Sequence, residues 1–187
     1  MDMCGKALLE EYDNPDKPNK YAPEDLKWGA EPGEYTVYRA GSLDRKIIFT
    51  ASDFDGAKNY TRADPTGDFT KDQVAVCSYT VKISNPYVSK DVRATYKDLF
   101  GKELNLEPSA AQMKKGLTTG DLWVKADERI AARLQKDKYD AWVMTAPAPP
   151  AKKEMILFGK TDLEQTSRKV PDNIKANLEK MATAGGY

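Results

Sequence analysis

Four side chains that could do chemistry on a charged ligand are spread over this 187-residue chain. Arg39 lies near the end of the alternating run Tyr-Thr-Val-Tyr-Arg-Ala-Gly, and Phe49 lies in the next strand-like run. Tyr60 follows a short helix pattern, and Glu154 begins the late apolar run Glu-Met-Ile-Leu-Phe-Gly. A guanidinium binds phosphate oxygens in pairs, and aromatic rings stack on other flat rings. A carboxylate stabilises positive charge that develops in a reaction.

Each of these residues also has a plain structural interpretation. Arg39 could be a surface arginine at a strand end, and Glu154 could be an acid at a strand edge. Phe49 and Tyr60 could be core residues, and Ser52 could cap a helix. The residues taken singly leave both interpretations open.

The composition excludes several kinds of chemistry. The chain has no histidine, so it has no Ser-His-Asp triad, no Cys-His pair and no histidine metal ligand. The chain has 29 basic residues (Lys and Arg) and 29 acidic residues (Asp and Glu). Its net charge therefore does not favour binding to nucleic acid or to an anionic membrane. Cys4 and Cys77 lack metal-ligand spacing and are predicted to be free thiols in a reducing compartment. We therefore expect no metal site.

The chain has no apolar stretch close to the length of a membrane span and no basic-then-apolar signal pattern. We expect a cytoplasmic protein with one domain over residues 33–187. Residues 1–32 are predicted to form an arm that docks on this domain through Leu26 and Trp28.

The elements that must position the four side chains follow from periodicity and turn residues. Predicted strands cover Tyr35–Ala40, Lys46–Ala51, Gln73–Ile83, Tyr139–Met144 and Met155–Phe158. Predicted helices run from Ser52 or Asp53 to Tyr60, from Ser89 to Gly101, from near Pro108, over Leu122–Lys136, and from Pro171. The helix over Leu122–Lys136 carries Trp123, Ile130 and Leu134 on one stripe, and its charged residues are interpreted as a solvated face.

This arrangement of strands and helices predicts an α+β fold. Neither a Gly-x-Gly-x-x-Gly run nor a Walker-type loop is present, so a nucleotide would not be held by either device.

Three segments together resemble the ADP-ribosyltransferase superfamily, in its bacterial and phage class with arginine on the first strand. Tyr38-Arg39-Ala40-Gly41 looks like the Tyr-Arg-Gly strand of arginine-type members. The resemblance implies that Arg39 binds the phosphate or ribose side of NAD, with Tyr38 and Ala40 beside it. It also implies a split, two-sheet core that holds NAD, with peripheral helices.

The second segment is Ile47–Tyr60, which resembles the part of poly-ADP-ribose polymerase-type domains where two aromatic residues frame a small one. Phe49 and Tyr60 match the aromatic positions and Ala57 the small one. Thr50 and Ser52 resemble the serine/threonine pair of the arginine-type class. The resemblance implies that these residues contact nicotinamide or its ribose.

The third segment is Lys152–Gly159, in which Glu154 matches the catalytic glutamate that begins a late strand. Two departures from the family pattern matter. Nothing replaces the histidine of the histidine-dependent subclass, and Lys152 stands where arginine-modifying members carry an acid or amide. The second departure puts arginine in doubt as the acceptor.

The resemblance implies a mono-ADP-ribosyltransferase that moves ADP-ribose from NAD to a protein acceptor and releases nicotinamide. Glu154 and Arg39 would be its catalytic residues, with NAD as substrate and no metal. Nucleic acid and membrane are not expected partners, and the acceptor and oligomeric state stay open. The alternatives are an NAD glycohydrolase, or a non-catalytic module of a phage or effector protein that keeps the fold.

Overall fold

The computed structural model describes residues 28–61, 74–147, 151–159 and 163–184. These residues form a mixed α+β structure. The strands are β1 (Gly33–Ala40), β2 (Ile47–Ala51), β3 (Val76–Ile83), β4 (Pro86–Ser89), β5 (Ala141–Met144), β6 (Glu154–Phe158) and β7 (Glu164–Lys169). The helices are α1 (Phe54–Lys58), α2 (Val92–Phe100), α3 (Ala110–Lys114), α4 (Thr119–Lys136) and α5 (Asp172–Ala184). The α+β prediction is therefore confirmed.

The described strands form one seven-stranded sheet in the order β4-β5-β6-β2-β1-β3-β7. Only β4 and β5 are parallel neighbours among these strands. β1 pairs with β3 along its whole length, and β2 pairs with β6 along its whole length. Between β1 and β2 the register has one pair, Tyr38 opposite Ala51. We call this narrow junction the seam.

One face of the sheet is covered by α4. The buried helix residues Ile130, Ala131 and Leu134 pack against strand residues of β5 and β6. Those strand residues are Trp142, Met144, Ile156 and Phe158. The indole Nε1 of Trp142 donates to the hydroxyls of Ser89 and Thr95, both at 3.1 Å, which ties β4 and α2 to β5.

The opposite face has its own apolar cluster. Successive strand residues point to opposite faces, so Ile48, Met155 and Leu157 lie on this side together with Val37 and Val143. Trp28 packs against this cluster, and its ring meets Tyr35 edge-on at 5.9 Å. The predicted docking of Trp28 on the core is thus observed. The other contacts predicted for the arm, at residues 1–27, lie outside the described residues.

The helix α1 lies tightly on the end of β2. Asp53 caps it, with Oδ1 accepting from the Gly56 amide at 2.9 Å. A Cβ at Gly56 would come within 3.1 Å of both Ala51 Cβ and the Ala151 backbone. Glycine is therefore required here by close packing rather than by an unusual φ angle.

The structure differs from the sequence prediction at several ends. Pro86 was expected to lie beyond a strand end, but it begins β4, and Asp91 rather than Ser89 caps α2. The strand β7 was not predicted, because all six of its residues are exposed and no apolar alternation marks it. Cys4 and the predicted loop residues 62–72 lie outside the described part of the chain.

Candidate functional site

The register of β2 and β6 brings Phe49 and Glu154 to the same face of the sheet. Glu154 lies opposite Ala51, and Ile156 lies opposite Phe49. Phe49 and Glu154 are therefore diagonal neighbours, a relation that corresponds to roughly 7–8 Å between backbones. Phe49 is 36% exposed, so its ring is available beside the carboxylate.

Tyr60 reaches the same carboxylate from α1. Its hydroxyl donates to Glu154 Oε1 at 3.3 Å, although the side chain is 54% exposed. The backbone amide of Tyr60 donates to the Ala57 carbonyl at 3.0 Å. This hydrogen bond fixes the position of Tyr60 just beyond the end of α1. The interpretation of Phe49 and Tyr60 as core residues is therefore wrong.

The environment of Glu154 changes its acidity. Burial raises the pKa of its carboxyl to about 7, and the hydrogen bond from Tyr60 opposes that rise. The negative charge of Asp127 raises the pKa further. Near neutral pH the Glu154 side chain is therefore divided between its protonated and ionised forms.

Asp127 is a second acid at this site, and it was not among the residues predicted from the sequence. It precedes Ile130, Ala131 and Leu134 by three, four and seven residues, which places it on the sheet-facing stripe of α4. Burial raises the pKa of its carboxyl to about 6, and its Oδ1 is buried with no hydrogen-bond partner among the described residues. The signal in the sequence was a charged residue in line with an apolar stripe.

Arg39 lies in the seam. Its Nη1 donates to the Phe49 carbonyl at 2.6 Å, and its Nε donates to the Ser42 carbonyl at 3.0 Å. Burial lowers the pKa of the guanidinium, and the nearby charge of Arg45 lowers it further, while Tyr79 opposes them. Tyr38 lies opposite Ala51, and Ala51 lies opposite Glu154, so these three residues share one face of the sheet. Because successive residues of a strand point to opposite faces, the Arg39 side chain leaves β1 on the other face.

The remaining predicted residues line the end of β2 or pack beneath α1. The buried Thr50 hydroxyl donates to the Met155 carbonyl at 2.6 Å, which joins β2 to β6. The Ser52 hydroxyl accepts from the Lys153 amide at 3.2 Å and lies 3.3 Å from Asp53 Oδ2. Since Asp53 is the cap of α1, the interpretation of Ser52 as that cap is wrong.

Tyr38 and Ala40 belong to a small apolar cluster under α1, with Ala51, Ala57 and Val76. Ala40 is buried, and Tyr38 is partly buried. The structure thus brings Phe49, Tyr60, Glu154 and Asp127 together on one face, whereas Arg39 lies at the seam and Tyr38 and Ala40 support α1.

In the described ranges, no three acidic, cysteine or histidine side chains gather closely enough to hold a metal ion. Cys77, on β3, is a free, half-buried thiol. The helices of the described ranges are all too short or too polar to cross a membrane.

Comparisons with protein-family models, curated proteins and solved structures gave no match to this chain.

Proposed function

We propose that this protein is an NAD-dependent mono-ADP-ribosyltransferase, which transfers ADP-ribose to a protein acceptor and releases nicotinamide. The observation that carries the proposal is the setting of Glu154. It begins β6, accepts a hydrogen bond from Tyr60, and lies diagonally beside the exposed ring of Phe49. A carboxylate between two accessible aromatic rings suits a substrate that has a flat ring and develops positive charge.

The chemistry assigned to Glu154 is electrostatic. Cleavage of the bond between nicotinamide and ribose has an oxocarbenium-like transition state, as glycoside cleavage has. The ionised Glu154 would accept a hydrogen bond from the ribose hydroxyl and stabilise the positive charge. Phe49 and Tyr60 would hold the nicotinamide ring between them, which fixes the geometry of the reacting bond.

The seam supports the proposal of a split core. The two halves of the sheet meet through Tyr38 and Ala51, and the guanidinium of Arg39 bridges them through the Ser42 and Phe49 carbonyls. We assign the NAD site to this seam, where Glu154 lies on one face of the sheet and the Arg39 side chain starts from the opposite face. The N–H groups of Arg39 that do not donate to these two carbonyls would donate to a phosphate oxygen of NAD.

The proposal is tested by nicotinamide release from NAD, with wild type beside Glu154→Gln and the exposed Glu128→Gln as control. We expect release by the wild type and by Glu128→Gln, and none by Glu154→Gln. Release only when a cell lysate is added would identify a transferase that requires its acceptor. Equal release per folded molecule by all three proteins would exclude Glu154 as the catalytic residue.

A second candidate is a non-catalytic interaction module. The observation that favours it is that the side chains of Arg39 and Thr50 both donate hydrogen bonds to backbone carbonyls, which is a structural role. The melting temperature with and without NAD separates the candidates, because a bound ligand stabilises the folded state. No shift with NAD and no nicotinamide release would leave the module as the better account.

We assign the reaction to the cytoplasm, where a half-buried free thiol such as Cys77 stays reduced.

A further inference from the structure

A groove open to solvent runs between the flank of α4 and the strand ends beside it. Its volume of about 420 Å³ lies within the range of small-ligand sites. The groove is lined by Glu128, Ala131, Ala132 and Gln135 of α4 and, on the other side, by Lys46, Ile47 and Gly159. The spacing of the four helix residues places them on one face of α4. This face forms one wall of the groove.

The path of the chain fixes which residues lie at which end of the groove. The short connection after α4 leads directly into β5, and the Phe158 amide donates to the Asp140 carbonyl in this connection at 3.4 Å. The last turn of α4, which contains Gln135, therefore lies beside the end of β6. The Gly159 amide donates to the Lys46 carbonyl at 3.2 Å, so Lys46 lies at this end as well.

Glu128 lies at the opposite end of the groove. It precedes Gln135 by seven residues, which corresponds to about 10 Å along the helix. None of the ion pairs between described residues includes Glu128 or Lys46. The groove therefore has an acid at one end and a base at the other, and these two side chains do not pair with each other. Between them, Ile47 and the two alanines present apolar atoms.

This arrangement is complementary to a molecule with an aliphatic stem between a cation and a carboxylate. Glu128 would accept hydrogen bonds from the cation, and Lys46 would donate to the carboxylate. The side-chain carbonyl of Gln135, at the Lys46 end, would accept from an α-ammonium group on the same carbon as the carboxylate. The stem would cover Ile47 and the alanines and remove their apolar surface from water. Lysine and arginine carry all of these groups.

The same order of charges does not suit the second half of NAD. Glu128 lies at the end of the groove nearer the start of β6, where Glu154 and Phe49 form the proposed nicotinamide site. A diphosphate that left this site along the groove would meet the Glu128 carboxylate before it reached Lys46. Because like charges repel, we do not assign the groove to NAD.

We propose that this groove is a binding site for a free basic amino acid, lysine or arginine, with the side-chain cation on Glu128 and the carboxylate on Lys46. The inference goes beyond the proposed transferase function and does not depend on it. Glu128 and Lys46 take no part in the proposed transfer, since the groove lies outside the site assigned to NAD. Binding is therefore measured without NAD.

The test is a ligand titration of isotope-labelled protein near neutral pH, followed by amide NMR. Lysine and arginine are compared with norleucine, which lacks the side-chain cation, and with cadaverine, which is lysine without its carboxylate. We expect the backbone amides of Gln135 and Gly159 to shift. Lysine should bind about fivefold more tightly than either analogue, the upper value for one ion pair that is open to solvent.

Variants of the groove test each assigned contact. Glu128→Gln should weaken lysine binding about fivefold and leave norleucine binding unchanged. Lys46→Gln should weaken lysine binding by a similar factor and leave cadaverine binding unchanged. Ala132→Trp fills the groove and should abolish binding of every probe. Ala111→Trp, at an exposed alanine of α3, is the matched control and should bind as the wild type does.

Several results would overturn the proposal. One is equal affinity for lysine, norleucine and cadaverine, and another is binding that Ala132→Trp leaves unchanged. Absence of amide shifts with every probe also overturns it, while the transferase proposal stands or falls by nicotinamide release alone. If Ala132→Trp does not fold, the variants at the exposed Glu128 and Lys46 complete the test. Unchanged lysine affinity in both of them overturns the assignment.

Discussion

At the scale of single residues, the ionisation of Glu154 affects both the proposed reaction and the stability of the fold. Burial and the charge of Asp127 make its ionised form unfavourable, and the hydrogen bond from Tyr60 offsets only part of this effect. The proposed reaction nevertheless needs the ionised form. The same side chain should therefore control the pH dependence of turnover and of folding, in opposite directions.

The first prediction concerns turnover. Because Glu154 must be ionised to stabilise positive charge, kcat/KM for nicotinamide release should rise as pH rises through about 7. Above that range it should level off. Measurement of kcat/KM from about pH 5 to about pH 9 checks this expectation. A profile that is flat across this range would contradict the assignment of Glu154.

The second prediction concerns stability. The pKa of Glu154 is about 7 in the folded protein and 4.5 without perturbation, so the folded protein holds this proton more tightly. The resulting stabilisation is fully present below about pH 4.5 and is lost as pH rises through about 7. Glu154→Gln removes this dependence, and it should be more stable than the wild type by on the order of 2 kcal/mol near pH 8.

Urea unfolding of both proteins near pH 4 and near pH 8 measures this difference. The gap between variant and wild type should be present at the higher pH and small at the lower pH. A gap of the same size at both values would show that the substitution acts through packing and not through ionisation.

At the scale of elements, the short helix α1 connects β2 to Tyr60. Its docking depends on Gly56, where a side chain would meet Ala51 and the backbone of Ala151. A helix this short has little stability of its own, so its position depends on the cap at Asp53 and on this contact. A shift of α1 would move Tyr60 away from Glu154.

The third prediction follows from this contact. Gly56→Val should lower the free energy of unfolding by about 1–3 kcal/mol, the usual cost of overpacking, and should lower nicotinamide release per folded molecule. Gly120→Val is the matched control, since the nearest atom to its new Cβ would be Thr118 Oγ1 at 3.5 Å. Equal loss of stability in the two variants would show that the close contacts at Gly56 are not the cause, because valine has a higher helix propensity than glycine.

The elements themselves were largely predictable from sequence. The apolar runs in β2, β3, β5 and β6 carry strand patterns, and Gly101, with φ of 66°, ends α2 as expected. The strands β4 and β7 were missed for different reasons. Pro86 is tolerated as the first residue of an edge strand, and β7 is a wholly exposed edge strand with polar side chains.

The site was predictable only in part. The register of β2 against β6 places Phe49 beside Glu154. This pairing joins segments far apart in the chain, so local sequence patterns do not predict it. Asp127 was missed because the charged run around it was interpreted as a solvated face, although its spacing from Ile130 and Leu134 puts it on the buried stripe. Arg39 was predicted at a strand end, but its two bonds across the seam depend on the tertiary fold.

At the scale of the whole molecule, the seam divides the sheet into a β4-β5-β6-β2 half and a β1-β3-β7 half. Arg39 belongs to one half and donates to the Phe49 carbonyl of the other. The guanidinium therefore holds together the two parts between which we propose that NAD binds.

The fourth prediction tests this bridge. Arg39→Lys keeps the charge but loses the planar fork, so it should lower the free energy of unfolding by about 1–3 kcal/mol and weaken NAD binding. Arg45→Lys is the control, because Arg45 is exposed and six residues further along the chain. Thermal unfolding and NAD titration of both variants give the comparison. Indistinguishable behaviour of the two variants would remove Arg39 from both roles.

The indole of Trp142 has a spectroscopic consequence. Trp142 is fully buried among apolar residues, whereas Trp28 and Trp123 are partly buried in different surroundings. A protein with phenylalanine at positions 28 and 123 would keep Trp142 as its one tryptophan, and the tryptophan emission should be blue-shifted in the folded state. Its red shift on denaturation would follow loss of the helix-covered face alone, without an attached dye.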